Sequence, residues 1–425
     1  MTDRELLKNL ELFDQYHILE HYRSLTSHQK QSFLEFNGNL DFHLVFRLYK
    51  DFCNTEAGRT KKMSISPADI ICTPRRDGSG PDIDNARQLG ESILRRQKVA
   101  VLIVAGGQGS RLGFEGPKGT FPLSPLKEKT LFQLLAEQVK ALSIRFSTKI
   151  PLLVMTSSDN HADTVEFFRA HGFFGLSPET VYFFSQGVLP ALSPEGRLIL
   201  RDEVHLYTSP DGHGGSLKAI SDSGVLEKLM DAGYEELFYC QVDNPLARIA
   251  DPVFLGYHSR IGADISTKVV RRRDVSEKVG VYVRSDGKDM IIEYSDIDEK
   301  YMTALDDKGQ ILYWAGNTAI HIFSLSFIKG LNKGGFALPY HCAKKSAYIV
   351  SSDWEPATVD VWKFETFVFD ALPFATKACC MEISRDEEFA PVKNKDGNDS
   401  PDTARAAILS LHRRWLAKAG IKLPE

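Results

Sequence analysis

Between Val101 and Thr120 the chain reads "VLIVAGGQGSRLGFEGPKGT", with glycines at 106, 107 and 109 and two cations, Arg111 and Lys118, close behind them. Bare backbone lets a ligand lie against peptide amides. Amides combined with a guanidinium fork and an ammonium suit a polyphosphate chain. The two commonest phosphate loops fail in register. A dinucleotide loop G-x-G-x-x-G begun at Gly107 and Gly109 puts its third position on Leu112, with Gly113 one residue late. A Walker A loop needs Gly-Lys-Ser/Thr, and the order here is Lys118-Gly119-Thr120. The register argues against a nicotinamide-dependent oxidoreductase. A glycine-rich turn with no ligand is the bland alternative, and three such glycines would make it an unusually weak turn.

The chain that must position this loop has 425 residues, too many for one ordinary core, so a large α/β unit with one or two smaller domains is expected. Basic and acidic residues number 52 and 56, which leaves no electrostatic footprint for nucleic acid. The densest basic run, "RRRD" at 271–274, reads as a solvated strand end. Six scattered cysteines without a C-x-x-C pair argue against a zinc ribbon or disulfide framework and fit a reducing cytoplasm. No stretch approaches the roughly 18 apolar residues of a membrane span, so no membrane partner is expected.

Residues 2–52 carry Leu6, Leu10, Phe33, Val45 and other apolar residues at helical spacing, and read as packing helices. From Asn54 to Pro81 the composition turns to Gly, Ser, Pro and charge, marking a loop-rich boundary before a short helix capped by Asp84. "VAVLIVA" (99–105) is apolar throughout, as a strand buried on both faces should be. "TLFQLLAEQVKAL", with Thr130 and Gln133 in capping-box spacing, is a helix. "PLLVMTS" and "TVYFFSQG" read as strands around the helix "HADTVEFFRAHG", and "ELFYCQVDN" (236–244) as a strand after the helix "VLEKLMDAG". This alternation predicts an α/β, doubly wound, mostly parallel Rossmann-like sheet with ligands at the carboxyl ends of its strands, after Ala105, Ser185 and Val242. A strand-rich stretch follows over 264–323, with a hairpin turn at Ser285-Asp286-Gly287. "VWKFETFVFDAL" (361–372) and the run from Pro401 are helical by period. The expected division is an N-terminal helical region (1–96), a catalytic α/β domain (97–345) and a small C-terminal α/β domain (346–425).

"AGGQGSRLG....PKG" resembles the signature loop of eukaryotic-type UDP-sugar pyrophosphorylases. Further segments resemble the UDP-N-acetylglucosamine branch in order: "FFSQGVLPAL" (183–192), "PDGHGG" (210–215), "VDN" (242–244), "VGVYVR" (279–284), "EYSDI" (293–297), "AGNTAIHIF" (315–323), "FETFVFDAL" (364–372), "SRDEEFAPVKN" (384–394) and "TARAAILSLHRRWLAKAG". The similarity runs from about residue 84 to the C-terminal end and implies a nucleotidyltransferase sheet and a reaction. UTP and a sugar 1-phosphate would give a UDP-sugar and pyrophosphate, by in-line attack of the sugar phosphate oxygen on the α-phosphorus with no protein nucleophile.

The resemblance also implies roles. Arg111, Lys118 and Lys393 would offset phosphate charge, with Lys363 adding to it. Val104, Ala105, Gly106 and Gly107 would line the nucleotide, Gln186 would read the uracil edge, and Gly212 would approach the base or ribose. Asp243, at the end of an apolar run, would hold Mg²⁺, with Mn²⁺ as the alternative ion. Glu293, Asn317, Gly280 and His213 would contact the sugar. His213 departs from the N-acetylglucosamine branch, which usually carries Asn there; glucose and broad-specificity relatives carry His. The sugar is therefore N-acetylglucosamine 1-phosphate by overall similarity, with glucose 1-phosphate or a broad range as the alternative. A catalytically silent nucleotide-sugar binder is the alternative of another class.

Overall fold

The computed structural model describes residues 2–54, 64–72, 82–350 and 356–421. These fall into two compact units, each assembled from three stretches of chain. The smaller takes Met1–Lys61, Gln186–Gly215 and Leu338–Val368; the larger takes Lys62–Ser185, Ser216–Ala337 and Phe369–Glu425.

In the larger unit all six residues of Val99–Val104 are buried, so this strand needs packed layers on both faces. It lies between Leu152–Thr156 and Glu236–Gln241, parallel to both, and Val181–Ser185 continues the parallel set. Beyond Glu236–Gln241 the sheet becomes mixed. Ala315–Ser324 runs antiparallel to it and to Ile265–Arg271, and Ala378–Glu382 pairs parallel with the latter. The expected doubly wound sheet is present, with an antiparallel arm. Its core joins the strands to Ile93, Leu135, Phe254 and Ile408 from four flanking helices.

Several local signals are borne out. Ser285 pairs with Lys288 across a two-residue turn in which Asp286 and Gly287 have φ of 50° and 76°, the left-handed pair that such a hairpin requires. Pro401–Lys418 is a helix, with Ser400 and Thr403 forming a reciprocal cap. Others need correction. The helix Ile83–Arg95 is capped by Asp82, whose side chain accepts from Asn85 N–H, while Asp84 lies in the first turn. Thr130 accepts from Gln133 N–H, but the Gln133 side chain turns to Glu137 instead of closing the box. Arg272, in the basic run, is buried and donates to the carbonyls of Met302, Tyr313 and Val275. Most of the boundary placed at 54–81 lies outside the described residues.

The smaller unit packs the helices Asp3–Leu12, Tyr16–Ser24, Ser27–Asn37 and Phe42–Asn54 around Leu6, Leu19, Phe33 and Val45, with Leu189, Leu198 and Phe364 in the same cluster. Residues 361–372 are not a helix. Pro356–Glu365 is a strand paired antiparallel with His341–Val350, followed by a short turn of 3₁₀ helix at Val368–Phe374. Val361, Phe364 and Val368 fit a helical period, yet β-branched and aromatic residues dominate the run and an available partner strand decides the outcome. The three consecutive segments expected from sequence differ from the units observed. Ala378–Glu382 belongs to the large sheet, Ala404 and Leu411 enter its core, and the hairpin before them builds the smaller unit.

One charge network ties distant segments of the larger unit together. Lys268, fully buried within its strand, lies 2.8 Å from Asp251 and 2.5 Å from Glu388, with Phe254 beneath its ammonium. Burial pushes the Glu388 carboxyl up. Burial acts on Asp251 in the same direction, but the Lys268 and Arg248 charges outweigh it and hold that carboxyl below its ordinary value. Removing the ammonium leaves two buried carboxylates poorly compensated. Lys268→Met is expected to lower stability by about 3–5 kcal/mol in urea denaturation; a loss below about 1 kcal/mol would show that the carboxylates are solvated without it.

Candidate active site

The glycine loop leaves the buried strand at Ala105 and folds on itself, with Gly109 N–H donating to Gly116 O at 2.9 Å and Lys118 N–H to Gly107 O at 3.1 Å. Arg111 stands exposed in the turn Ser110–Leu112, which ends at Gly113 with φ of 68°. At Gly107 an added Cβ would meet no protein atom within 4 Å. The fold itself does not demand glycine there; the residue leaves backbone bare on the open side.

Lys118 and Asp243 come together from two neighbouring strand ends. Val242 N–H donates to Val104 O at 3.0 Å, and Lys118 Nζ lies 3.8 Å from Asp243 Oδ2, beyond hydrogen-bond range. Their side chains are 17% and 12% exposed, so the pair is only slightly open to water. The segment that carries Lys393 is tied to the same strand end, since Val392 N–H donates to Asp243 O at 2.8 Å; the Lys393 side chain is exposed. Asn244 secures the same segment: its Nδ2 donates to Glu388 O at 2.8 Å and its Oδ1 accepts from Ala390 N–H at 3.1 Å. Asn244 and Lys268 went unremarked as supports in the sequence. A lysine inside the apolar run "ISTKVV" was the available signal for the second.

Three of the four proposed sugar contacts, Gly280, Glu293 and Asn317, also cluster. Ala315–Ser324 runs antiparallel to Glu236–Gln241 with His321 opposite Tyr239, so its amino end runs past the strand end that leads into Asp243. A register shift between Asn317 and His321 accompanies Ala319 at φ 55°, and Asn317 Oδ1 accepts from Ala319 N–H at 3.0 Å. Asn317 N–H donates to Gly280 O at 2.8 Å. A Cβ on Gly280 would stand 3.2 Å from Glu293 Oε1, which places that carboxylate over the glycine. Gly280, Glu293 and Asn317 thus share one corner of the larger unit.

Gln186, Gly212, His213 and Lys363 belong to the smaller unit. The ribbon pairing Val188–Pro190 with Thr208–Pro210, extended by Asp211 N–H donating to Gly187 O at 3.0 Å, brings the chain at Gln186 alongside that at Gly212. Gly212 has φ of 86°, and a Cβ there would stand 2.3 Å from Thr366 O, so glycine is required twice over. His213 Nδ1 accepts from Val368 N–H at 3.2 Å, and its ring stacks on Phe367. Lys363 directs its Nζ to Tyr207, 3.3 Å from the hydroxyl and 5.3 Å from the ring centre.

Known proteins resemble this chain over nearly its whole length. Residues 45–420 match the family described as "UTP--glucose-1-phosphate uridylyltransferase". The chain is 33% identical to the UDP-N-acetylglucosamine diphosphorylase 2 of Arabidopsis thaliana, covering 98% of this chain and 85% of that protein. It is 38% identical to the UDP-N-acetylglucosamine pyrophosphorylase of Saccharomyces cerevisiae, over 87% and 80% of the two chains. The crystal structure of the uridine diphosphate N-acetylglucosamine pyrophosphorylase from Trypanosoma brucei, solved with an inhibitor, superposes with a TM-score of 0.85 at 29% identity, covering 99% of this chain and 87% of that one. Matched by that family across nearly all of its length, this chain belongs to the UTP–glucose-1-phosphate uridylyltransferase family of nucleotidyltransferases.

Proposed function

We propose that this chain is a cytoplasmic, Mg²⁺-dependent uridylyltransferase that joins UTP and N-acetylglucosamine 1-phosphate to give UDP-N-acetylglucosamine and pyrophosphate. The observation that carries the reading is Lys118, 3.8 Å from Asp243, at the carboxyl end of the parallel strands. A lysine beside one carboxylate at the carboxyl ends of parallel strands suits a triphosphate with its metal. N-Acetylglucosamine is favoured as the sugar by the relatives named above.

A single carboxylate fits Mg²⁺, which keeps several waters and takes other ligands from phosphate oxygens; among the described residues no cluster of three or more metal-ligating side chains occurs. Bound at Asp243, the ion would neutralise and orient phosphate oxygens. The protein's own part is positioning and charge. Lys118, Arg111 and Lys393 offset the negative charge that grows on the leaving pyrophosphate as the sugar phosphate oxygen bonds to the α-phosphorus and the bridging oxygen departs. Glu293, Asn317 and Gly280 hold sugar hydroxyls, and Gln186, Gly212 and Lys363 keep the nucleotide roles that the resemblance implies.

Pyrophosphate release from UTP and Mg²⁺ should require a sugar 1-phosphate, and N-acetylglucosamine 1-phosphate should be the best of a panel with the glucose and galactose analogues. A chain that binds UDP-N-acetylglucosamine in calorimetry but never turns over would be a silent binder instead. Lys118→Ala and Asp243→Ala should each lower kcat by about 100-fold or more; rates within threefold of the parent would remove both residues from the chemistry. His213→Asn should raise the ratio of kcat/KM for N-acetylglucosamine 1-phosphate over glucose 1-phosphate by about tenfold, and an unchanged ratio would take His213 out of sugar selection.

A further inference from the structure

Asn160 follows the strand Leu152–Thr156 at the start of the helix His161–Ala170 and is completely buried. An Asn in this place ordinarily turns its oxygen to the first-turn amides of the helix. This one makes no such cap. Its Oδ1 accepts from Ser157 N–H at 2.8 Å, and its Nδ2 donates to two carbonyls of the glycine loop, Ala105 O at 3.0 Å and Gly107 O at 3.4 Å.

Peptide geometry gives those two bonds a consequence. No peptide bond among the described residues is cis, and in a trans, planar peptide the C=O and the following N–H point in opposite directions. Drawing the Ala105 and Gly107 carbonyls towards one amide group therefore turns the N–H groups of Gly106 and Gln108 to the other side of the loop. The second peptide is held twice, since Lys118 N–H also donates to Gly107 O at 3.1 Å. Among the described residues, neither the Gly106 nor the Gln108 N–H donates to a backbone carbonyl. Gly107 and Gln108 are exposed, and no protein atom crowds Gly107 on its Cβ side.

We propose that Asn160 is a positioning residue of the nucleotide site: by holding two glycine-loop carbonyls inward, it aims the Gly106 and Gln108 N–H groups at oxygen atoms of UTP. The inference rests on the assignment of this loop to UTP made above. Asn160→Asp tests it, because the substitution keeps the shape and the acceptor for Ser157 N–H while replacing the donor with an oxygen that faces two carbonyls. The measurements are the UTP Kd by calorimetry, KM for each substrate separately, and the melting curve. The expected result is a Kd and KM for UTP raised by at least about tenfold, with KM for the sugar 1-phosphate changed less than twofold. Asn160→Ala, which leaves the carbonyls unheld without repelling them, should show the same split. UTP affinity within twofold of the parent in a folded variant overturns the proposal, as does loss of folding in both variants, which would make the side chain structural. A parent chain that binds no UTP at all would instead refute the substrate assignment on which the proposal rests.

Discussion

Lys268 sits in the middle of a strand with no access to water, and an ammonium in that position is tolerable only when its carboxylate partners arrive from elsewhere in the chain. Asp251 comes from the turn that follows the Asp243 strand end, and Glu388 from the segment that runs on to Lys393. The folded chain can satisfy this charge only by closing both segments onto the sheet. Once they are closed, Asn244 and the Val392 to Asp243 backbone bond set the finer register. The electrostatic demand of one buried residue thus fixes the place of a lysine more than a hundred residues away in sequence.

The site built on this frame sets Lys118 near a single Asp, with Arg111 exposed in the same loop. Carboxyl ends of parallel strands are the natural place for it, because the loops there start from fixed, buried strands. The antiparallel strand Ala315–Ser324 extends that edge. Its irregularity after Asn317 lets the Asn side chain bond locally while its N–H reaches Gly280.

Much of this was legible along the chain. The all-apolar Val99–Val104, the two-residue Asp286-Gly287 turn and the helix after Ser400 each follow from short-range rules about burial, positive φ and capping. Where those rules competed, the sequence reading failed. Residues 361–372 satisfy a helical period and a strand composition together, and only the partner strand His341–Val350 settles the matter. Arg272 looks like one of three solvated arginines until three carbonyls from separate turns converge on it. The division into units was illegible for a similar reason. Composition shifts along the chain report local change, whereas a compact unit is defined by contacts, and both units here are built from stretches that the chain leaves and revisits.

By itself the sequence pointed to the class of chemistry: the glycine register excluded the two common phosphate loops, and the resemblance of the ordered segments to UDP-sugar pyrophosphorylases implied uridylyl transfer. Those features are local, since each depends on residue type and short spacing. Tertiary structure alone decided that the segment carrying Lys393 is tied to Asp243, that Gly280, Glu293 and Asn317 share a corner, and that Asn160 and Lys268 hold the surrounding segments from inside. Side chains that act by filling another segment's hydrogen-bond or charge demand carry no signature of their own, because the partner that gives them meaning is chosen only when the chain folds.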